Sequence, residues 1–259
     1  MLPNLSSVHP DAKIGKNVTV SPFVTIEKDV VIGDNTLIYP NVVIMNGARI
    51  GSNCRIFPGA VIAAVPQDLK FKGEETTAEI GDGTTVRECA TVNRGTAAKG
   101  KTVVGNNCLL MAYSHTAHDC VLGNNVILGN ATQLAGEVEA DDYAILSGGA
   151  LVHQFTRIGM HTMIQGGSRV NKDIPPYVII GREPISYSGI NVVGLKRRNF
   201  DNERISTIQE IYRILYQSGL NFKEALKQID ETVPNSAEKE AIVAFIVNSQ
   251  RGIVRGYFG

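Results

Sequence analysis

One aliphatic residue recurs at every sixth position through most of this chain. Of the 27 positions reached from Ile14 to Val170 in steps of six, 22 hold Ile, Leu or Val. The exceptions are Asp68, Glu74, Ala98, Thr116 and Ala140. So regular a period constrains the fold more than any other feature, because a repeated unit must stack on its neighbours to bury its apolar side chains.

Each repeat combines a short extended segment with a turn. Glycine often follows the aliphatic residue, as at Gly15 and Gly51, and Asn or Asp often comes one or two positions later. These residues adopt turn conformations at low cost. Four positions after the aliphatic residue the side chain is small, and Cys54, Cys108 and Cys120 occupy this position. The pattern predicts a parallel β-helix in which these cysteines are packed as free thiols.

Two segments interrupt the repeat without changing its phase, residues 65–79 and residues 94–101. Such inserts must leave the coil as external loops if the coils on either side are to stack. Because loops on a rigid scaffold commonly carry functional residues, we expect both to lie near a binding site.

The period changes after Asp173, where the chain reads Asp-Ile-Pro-Pro. Apolar residues then recur at helical spacing in residues 202–219, 221–231 and 235–252. We therefore predict a β-helical domain over residues 1–189 and a small α-helical domain over residues 190–259. Its predicted helix boundaries are N-caps at Asn202, at Asn221 and at Asn235 or Ser236, with a stop at Gly219.

The charge balance excludes a long-range field that would attract a polyanion or a membrane. The 25 Lys and Arg residues equal the 25 Asp and Glu residues in number. No run approaches the roughly 18 apolar residues that a membrane span needs. We expect a cytoplasmic protein that neither binds nucleic acid nor inserts into a membrane, and any charged partner must meet a local patch.

The segment HTAHDC, from His115 to Cys120, interrupts the aliphatic pattern with two imidazoles and a carboxyl group. If one coil takes 18 residues, positions 18 apart stack with the spacing of neighbouring strands, about 4.8 Å. The residues then fall into two columns, with His153 beside the first: His118, Gly136 and Gln154, and Asp119, Glu137 and Phe155.

Such a group suits acyl transfer. A neutral imidazole can take the proton from an attacking hydroxyl, and a backbone N–H can stabilise the oxyanion that forms at a thioester carbonyl. The alternative is that His118 is a polar residue on a solvated face of the coil.

Seven motifs in order make the match more specific than the repeat alone: PQDLKFKGE, NRGT, HTAHDC, LAGEVEADD, VHQF, DIPPYVI and GINVVGLKRRNF. Together they resemble the acyl-[acyl-carrier-protein]-UDP-N-acetylglucosamine O-acyltransferase family, within the hexapeptide-repeat acyltransferase superfamily. The resemblance covers most of the chain. It implies a left-handed parallel β-helix with three repeats per triangular coil, followed by the helical domain.

The same resemblance implies an activity and its partners. Members transfer a long-chain (R)-3-hydroxyacyl group from acyl carrier protein to the 3-hydroxyl of UDP-N-acetylglucosamine, the first step of lipid A biosynthesis. It further implies a homotrimer with sites between subunits and no metal or organic cofactor.

Residue roles follow from matching positions. His118 resembles the general base, Asp119 the residue that orients it, and the Gly136 N–H the oxyanion donor. The remaining matches are substrate contacts: Gln67, Asp68 and Lys70 on the first loop, His115 lining the acyl and sugar site, His153 and Gln154 on the nucleotide sugar, and Asn191, Arg197 and Arg198 on the nucleotide and its phosphates. The planar fork of arginine suits diphosphate oxygens.

A basic cluster in the helical region could attract the acidic acyl carrier protein by charge complementarity. Its members are Lys196, Arg197, Arg198, Arg204 and Arg213. Gly166 matches the position that sets acyl-chain length, and a glycine there leaves room for a long acyl donor.

Two positions depart from the family pattern. Glu137 and Asn93 stand where the family often has histidine. A carboxylate at Glu137 could accept a hydrogen bond from a sugar hydroxyl, or favour an acceptor with a 3-amino group in place of the 3-hydroxyl.

Two other classes share this fold. A γ-carbonic-anhydrase-like zinc enzyme could use His115, His118 and His153 as ligands, since open zinc sites favour three histidines. That reading leaves the helical domain and the first loop without a role. A noncatalytic β-helical scaffold explains the repeats and leaves the histidines without a purpose.

Overall fold

The computed structural model describes residues 5–256, which form 27 strands followed by four helices. The strands stack into three sheets, here named face A, face B and face C. Face A contains β1 (Ser7–Val8), β4 (Thr25–Ile26), β7 (Val43–Ile44), β10 (Val61–Ala64), β13 (Thr91–Asn93), β16 (His115–Thr116), β19 (Gln133–Leu134), β22 (Leu151–Val152) and β25 (Arg169–Val170). Face B contains β2 (Lys13–Ile14), β5 (Val31–Ile32), β8 (Ala48–Ile50), β11 (Thr77–Ile80), β14 (Lys101–Val104), β17 (Val121–Leu122), β20 (Glu139–Ala140) and β23 (Arg157–Ile158). Face C contains β3 (Thr19–Val20), β6 (Leu37–Ile38), β9 (Arg55–Ile56), β12 (Thr85–Val86), β15 (Leu109–Leu110), β18 (Ile127–Leu128), β21 (Ile145–Leu146), β24 (Met163–Ile164), β26 (Val178–Gly181) and β27 (Ser186–Ile190).

The register confirms a coil of 18 residues. His115 pairs in parallel with Gln133, and Gln133 pairs with Leu151. Where the two inserts occur, Val61 pairs with Thr91 and Thr91 pairs with His115. The inserts therefore add two repeats and one repeat to their coils, which preserves the phase as the sequence predicts.

The coil interior is filled by the residues of the six-residue period. Side chains such as Ile44, Ile62, Leu128 and Leu146 are fully buried. Cys54, Cys108 and Cys120 are buried free thiols, which confirms their packing role, while Cys89 is exposed. Burial raises the pKa of the Cys108 thiol to about 11 and that of the Cys120 thiol to about 12, so both stay protonated.

Both inserts leave the coil where face A turns into face B, a corner here named the A/B edge. Their predicted ends at residues 79 and 101 are wrong, because strand pairing begins earlier: Thr77 already pairs with Lys101. The first loop is therefore residues 65–76 and the second loop residues 94–100. The two are tied together by the Thr76 hydroxyl, which donates to the Gly95 carbonyl at 2.6 Å.

Four helices follow: α1 (Val192–Arg197), α2 (Asn202–Gln217), α3 (Phe222–Thr232) and α4 (Ala237–Val247). Asn221 and Ser236 cap α3 and α4 as predicted, and Gly219 follows the end of α2 with φ +76°. The prediction for Asn202 is wrong. Asp201 is the cap, because its backbone is extended and its carboxylate accepts from the Arg204 N–H, whereas Asn202 is already helical.

A buried lysine joins the last two helices. The Lys239 ammonium donates to the carbonyls of Asp230 and Val233 at 3.1 and 2.8 Å, near the end of α3. It thereby satisfies carbonyl groups that have no partner within their own helix. None of the helices in residues 5–256 is both long and apolar enough to cross a lipid bilayer.

Candidate active site at the A/B edge

The turns that follow successive face A strands stack at the A/B edge in the predicted columns. The Glu137 N–H donates to the His118 carbonyl at 3.0 Å, and the Phe155 N–H donates to the Gly136 carbonyl at 3.2 Å. Residues of three successive coils therefore present their turn positions at one place.

Asp119 lies beneath the second loop and is fully buried. Its backbone has φ +60°, a left-handed turn conformation that Asp tolerates better than most residues. The carboxylate accepts hydrogen bonds from the Thr96 N–H at 2.9 Å, the Thr96 hydroxyl at 2.6 Å and the Lys99 N–H at 3.2 Å. The His118 Nδ1 lies 2.8 Å from the Asp119 Oδ2.

These donors set the charge of the Asp119 carboxyl. Burial raises its pKa, but hydrogen bonds from Thr96 and His118 more than offset that effect, so the pKa lies below its ordinary value. Asp119 is thus ionised near neutral pH and can only accept. His118 must then donate its Nδ1–H, which leaves the lone pair of Nε2 free to act as a base.

Gly136 lies directly against the His118 ring. A Cβ added at position 136 would come within 2.5 Å of both Nε2 and Cε1 of His118, so only glycine fits beneath the imidazole. The Gly136 N–H makes no hydrogen bond with any other residue in the range 5–256. An unused N–H donor therefore lies next to the atom that would act as base.

The first loop arches over the same corner. The Asp68 Oδ2 lies 3.9 Å from the His118 Nε2, while its Oδ1 accepts from the Lys70 N–H at 2.9 Å. Gln67 and the Lys70 side chain are exposed beside it. Asn93 is buried and donates to the carbonyls of Ala64 and Val65, so it fixes the start of this loop.

An open groove of about 420 Å³ runs across face A beside this corner. Its lining includes His115, Gln133, Leu151, Arg169 and His153. The His115 Nδ1 lies 2.7 Å from the Thr91 hydroxyl. Burial, and then the neighbouring His118, lower the pKa of His115, which favours a neutral imidazole.

Gln154, Glu137 and Gly166 lie in turns at the two ends of the face A strands. Gln154 and Glu137 are half-buried in the turns stacked on His118. Gly166 lies in the turn from β24 to β25, on the opposite side of face A from His118. A Cβ there would meet the Gly148 carbonyl at 3.0 Å.

Three predicted site residues lie elsewhere in the chain, near the corner between face B and face C, here named the B/C edge. Asn191 is buried and caps α1, accepting from the Gly194 N–H at 3.1 Å and donating to the His161 carbonyl at 2.9 Å. The Arg198 guanidinium lies over the Tyr143 ring at 5.0 Å. Arg197 is exposed. Within one chain these residues do not join His118.

Only part of the predicted basic cluster has charges that are not paired within the described part of the chain and could attract acyl carrier protein. Arg204 pairs with Glu238 at 2.6 Å, and Arg213 pairs with Glu210 at 2.6 Å. Their charge is thus compensated, because α2 places each of them against an acidic side chain. Lys196 and Arg197 remain exposed at the end of α1. Of the five basic residues predicted to attract acyl carrier protein, Arg204 and Arg213 are therefore paired within the chain.

The histidines proposed as zinc ligands do not form a metal site within one chain. No three His, Cys, Asp or Glu side chains among residues 5–256 are arranged to hold a metal ion. The Nδ1 atoms of His118 and His115 are already engaged by Asp119 and Thr91, and the His153 Nδ1 lies 3.0 Å from the Gln154 carbonyl.

Thr96 is the residue of this corner that the sequence did not single out. It lies in the NRGT motif, but nothing in the six-residue period indicates that its hydroxyl meets a carboxylate 23 positions later. The available signal was a threonine after a glycine inside an insert.

Family models match two parts of the chain. The hexapeptide model of bacterial transferases matches residues 29–64 and 101–136, and the model for domain 2 of UDP N-acetylglucosamine O-acyltransferase matches residues 173–254. The C-terminal region is thus similar to the second domain of UDP N-acetylglucosamine O-acyltransferase.

Relatives extend this similarity over nearly the whole length. An acyl-[acyl-carrier-protein]-UDP-N-acetylglucosamine O-acyltransferase of Alkalilimnicola ehrlichii is 49% identical over 249 residues, covering 96% of each protein. The solved structure of LpxA, a UDP-N-acetylglucosamine acyltransferase of Bacteroides fragilis, is 60% identical with a TM-score of 0.97, covering 98% of this chain and all of that one. The structure of the Francisella novicida enzyme of the same name is 43% identical with a TM-score of 0.94, covering 98% of this chain and 94% of that one. With its hexapeptide coil, its C-terminal helices and these relatives, the chain belongs to the acyl-[acyl-carrier-protein]-UDP-N-acetylglucosamine O-acyltransferase family.

Proposed function

We propose that this protein transfers a long-chain (R)-3-hydroxyacyl group from acyl carrier protein to the 3-hydroxyl of UDP-N-acetylglucosamine, with His118 as general base. Relatives of 49% and 60% identity carry the name of this activity. The observation that supports the role of His118 is the pairing of its Nδ1 with a buried, ionised Asp119, while its ring lies against Gly136, whose N–H makes no hydrogen bond with the other described residues.

The reaction needs one proton to move twice. His118 Nε2 takes the proton from the sugar 3-hydroxyl as its oxygen attacks the thioester carbonyl carbon. The Gly136 N–H stabilises the oxyanion that forms. When the carbon–sulfur bond breaks, the proton passes from Nε2 to the departing pantetheine sulfur. No covalent enzyme intermediate and no metal or organic cofactor take part in this scheme.

The first loop and the face A groove supply the substrate contacts in this proposal. Asp68 lies within reach of a group bound at the His118 Nε2, and Gln67 and Lys70 lie beside it. His115, His153 and Gln154 border the groove that would receive the acyl chain and the sugar. Gly166 leaves the far side of face A open, so we expect highest turnover with a donor of about fourteen carbons or more.

The distance of the B/C edge from His118 within one chain supports a site shared between subunits. In a homotrimer, Asn191, Arg197 and Arg198 of one subunit would meet the nucleotide bound at the A/B edge of the next. Arg197 and Arg198 would hold the diphosphate, while buried Asn191 would act by keeping α1 in place. We further propose a cytoplasmic location, and docking of acyl carrier protein beside the exposed Lys196 and Arg197.

Glu137 supports one alternative acceptor. Its carboxylate follows the oxyanion glycine and could bind a 3-amino group on the sugar, giving an amide in place of an ester. Competition between UDP-N-acetylglucosamine and its 3-amino analogue measures this directly. A higher kcat/KM for the hydroxyl acceptor would reject the alternative.

The activity is tested by mass-spectrometric detection of acylated UDP-N-acetylglucosamine. The chelator-treated protein is incubated with 3-hydroxyacyl carrier protein, alongside His118→Ala and, as a matched control, His9→Ala at an exposed histidine far from the site. We expect product from wild type and from the control, and a loss of about 10²-fold or more for His118→Ala. Absence of product from the wild type, or a requirement for added zinc, would contradict the proposal.

A further inference from the structure

The second loop, residues 94–100, forms a set of donors around the Asp119 carboxylate. We propose that Thr96 is a positioning residue that holds this carboxylate in line with His118 through its hydroxyl and its backbone N–H. The inference rests on the proposed function of His118 as a base. It assigns a role to the second loop, whose hydrogen bonds go to the Asp119 carboxylate and not to the His118 imidazole.

The contacts are directed at both oxygens of the carboxylate. The Thr96 hydroxyl donates to Oδ2 at 2.6 Å, the same oxygen that lies 2.8 Å from His118 Nδ1. The Thr96 and Lys99 N–H groups donate to Oδ1 at 2.9 and 3.2 Å. Because Thr96 and Asp119 are both buried, water does not compete for these bonds. The carboxylate therefore has one orientation, the one in which Oδ2 faces the imidazole.

Thr96 is itself held through Gly95, the residue that precedes it. The Thr76 hydroxyl donates to the Gly95 carbonyl at 2.6 Å, and the Gly95 N–H donates to the Thr77 carbonyl at 3.0 Å. A Cβ at Gly95 would come within 2.3 Å of the Lys101 backbone, so the chain passes too close for any other residue. The position of the Thr96 hydroxyl is thus fixed from both loops.

Loss of the Thr96 hydroxyl has a predictable consequence for the base. Oδ2 would keep His118 as its one side-chain donor, so more of its negative charge would act on the imidazole and favour the protonated ring. The other groups facing the imidazole are Asp68 near Nε2 and His115, and neither contacts Thr96. An imidazole that holds its proton more strongly acts as a base only at higher pH. In addition, an Asp119 carboxylate that can rotate holds the His118 imidazole in the correct orientation for less of the time.

The test compares Thr96→Val, which keeps the shape and the N–H, with Thr96→Ser, which restores a hydroxyl. Thr36→Val is the matched control, because Thr36 is likewise a buried threonine whose hydroxyl donates a hydrogen bond, here to the Gly51 carbonyl at 2.9 Å, in a coil remote from His118 and Asp119. Measured quantities are kcat, KM for the nucleotide sugar, and the acid limb of the pH profile of kcat/KM.

We expect Thr96→Val to lower kcat about tenfold, to leave KM within about twofold, and to move the acid limb upward by about half a pH unit or more. Thr96→Ser should recover most of the activity and the wild-type profile, and Thr36→Val should change neither. An unshifted profile in Thr96→Val, or a loss of kcat equal to that of Thr36→Val, would overturn the proposal.

A second readout separates this inference from the proposed function. The pKa of His118 can be followed by NMR without any substrate, and it should rise in Thr96→Val and return in Thr96→Ser. If the wild type makes no product but this shift is present, the proposed function fails and the positioning role stands. If the wild type is active but His118 titrates identically in all variants, the positioning role fails alone.

Discussion

His118 and His161 are equally exposed, at 8% each, and both lie in turns at corners of the coil. At the A/B edge, His118 Nδ1 meets the ionised carboxylate of Asp119. At the B/C edge, the His161 ring stacks between Tyr143 and Tyr177, with centroids 4.9 and 5.6 Å away. Equal burial thus accompanies opposite surroundings, one polar and one aromatic.

The protonation of His161 follows from these aromatic surroundings. Burial first, and then the nearby Arg198, lower its pKa to about 4. Its Nδ1 is buried and has no hydrogen-bond partner in the part of the chain that the structure describes. His161 therefore stays neutral and acts as a flat packing surface, while its carbonyl holds Asn191 at the start of α1. The comparison indicates that the carboxylate partner, and not the degree of burial, distinguishes the histidine that we propose as the general base.

The largest expected effect comes from removing the charge that distinguishes the two corners. Asp119→Asn keeps the size of the side chain but loses its anion, so the His118 tautomer is no longer enforced. We expect kcat to fall about 10²-fold to 10³-fold with the fold intact. Steady-state kinetics would be compared with Asp34→Asn, whose carboxylate accepts from the Lys16 N–H at 2.7 Å in a distant coil. Equal activities in the two variants would contradict the claim that the Asp119 carboxylate sets His118 apart from His161.

The second effect should be a loss of stability without a comparable loss of catalytic activity. His161→Ala removes the middle ring of a stack and leaves a cavity between Tyr143 and Tyr177, so we expect a loss of about 2–4 kcal/mol in the free energy of unfolding. Urea unfolding at fixed protein concentration measures it. A loss below about 1 kcal/mol would show that the ring does little to hold the B/C edge.

The third effect is the pH dependence of that stability. Because the folded-state pKa of His161 is about 4 and its ordinary value is 6.5, the unfolded chain binds the proton more readily. The stability contributed by neutral His161 is fully present above pH 6.5 and is lost as the pH falls towards 4. Between pH 7 and pH 5, the wild type should lose about 2 kcal/mol more than His161→Phe. Equal losses in the two proteins would contradict the low pKa.

The smallest effect is expected for His161→Phe itself at neutral pH. Phenylalanine keeps a flat ring in the stack and removes a nitrogen that has no partner. We expect kcat within about twofold of wild type and a stability change of less than about 1 kcal/mol in either direction. The same assays as above measure both, and a loss of activity comparable to that of Asp119→Asn would mean that the two corners do not differ in the way proposed.

The columns of this corner could be predicted because the period is regular. Once 18 residues make one coil, Gly136 must lie over His118 and Gln154 over Gly136. The prediction of these columns requires only the spacing of neighbouring strands and not the direction of any side chain. The period was sufficient to predict the coil, the three buried cysteines and the departure of two loops from the coil.

The path of the two loops could not be predicted from the six-residue period. The Asp119 carboxylate accepts from the Thr96 and Lys99 N–H groups, and the Asp119 N–H donates to the Thr102 hydroxyl. Those three partners lie in or beside an insert whose return path depends on contacts such as the Thr76–Gly95 hydrogen bond. The approach of Asp68 to His118 is similarly a contact across 50 positions. For the same reason the sequence did not show that Arg204 pairs with Glu238 of α4 and Arg213 with Glu210 of its own helix, α2.

The tautomer of His118 in the folded protein tests its proposed role as general base most directly. Nitrogen-15 NMR of histidine-labelled protein near neutral pH distinguishes a protonated from an unprotonated ring nitrogen, and the His118 signals are those missing from His118→Gln. We expect a protonated Nδ1, held by Asp119, and an unprotonated Nε2. A proton on Nε2 with a bare Nδ1 would contradict that role, because the atom facing Gly136 and Asp68 could then accept nothing from a substrate hydroxyl.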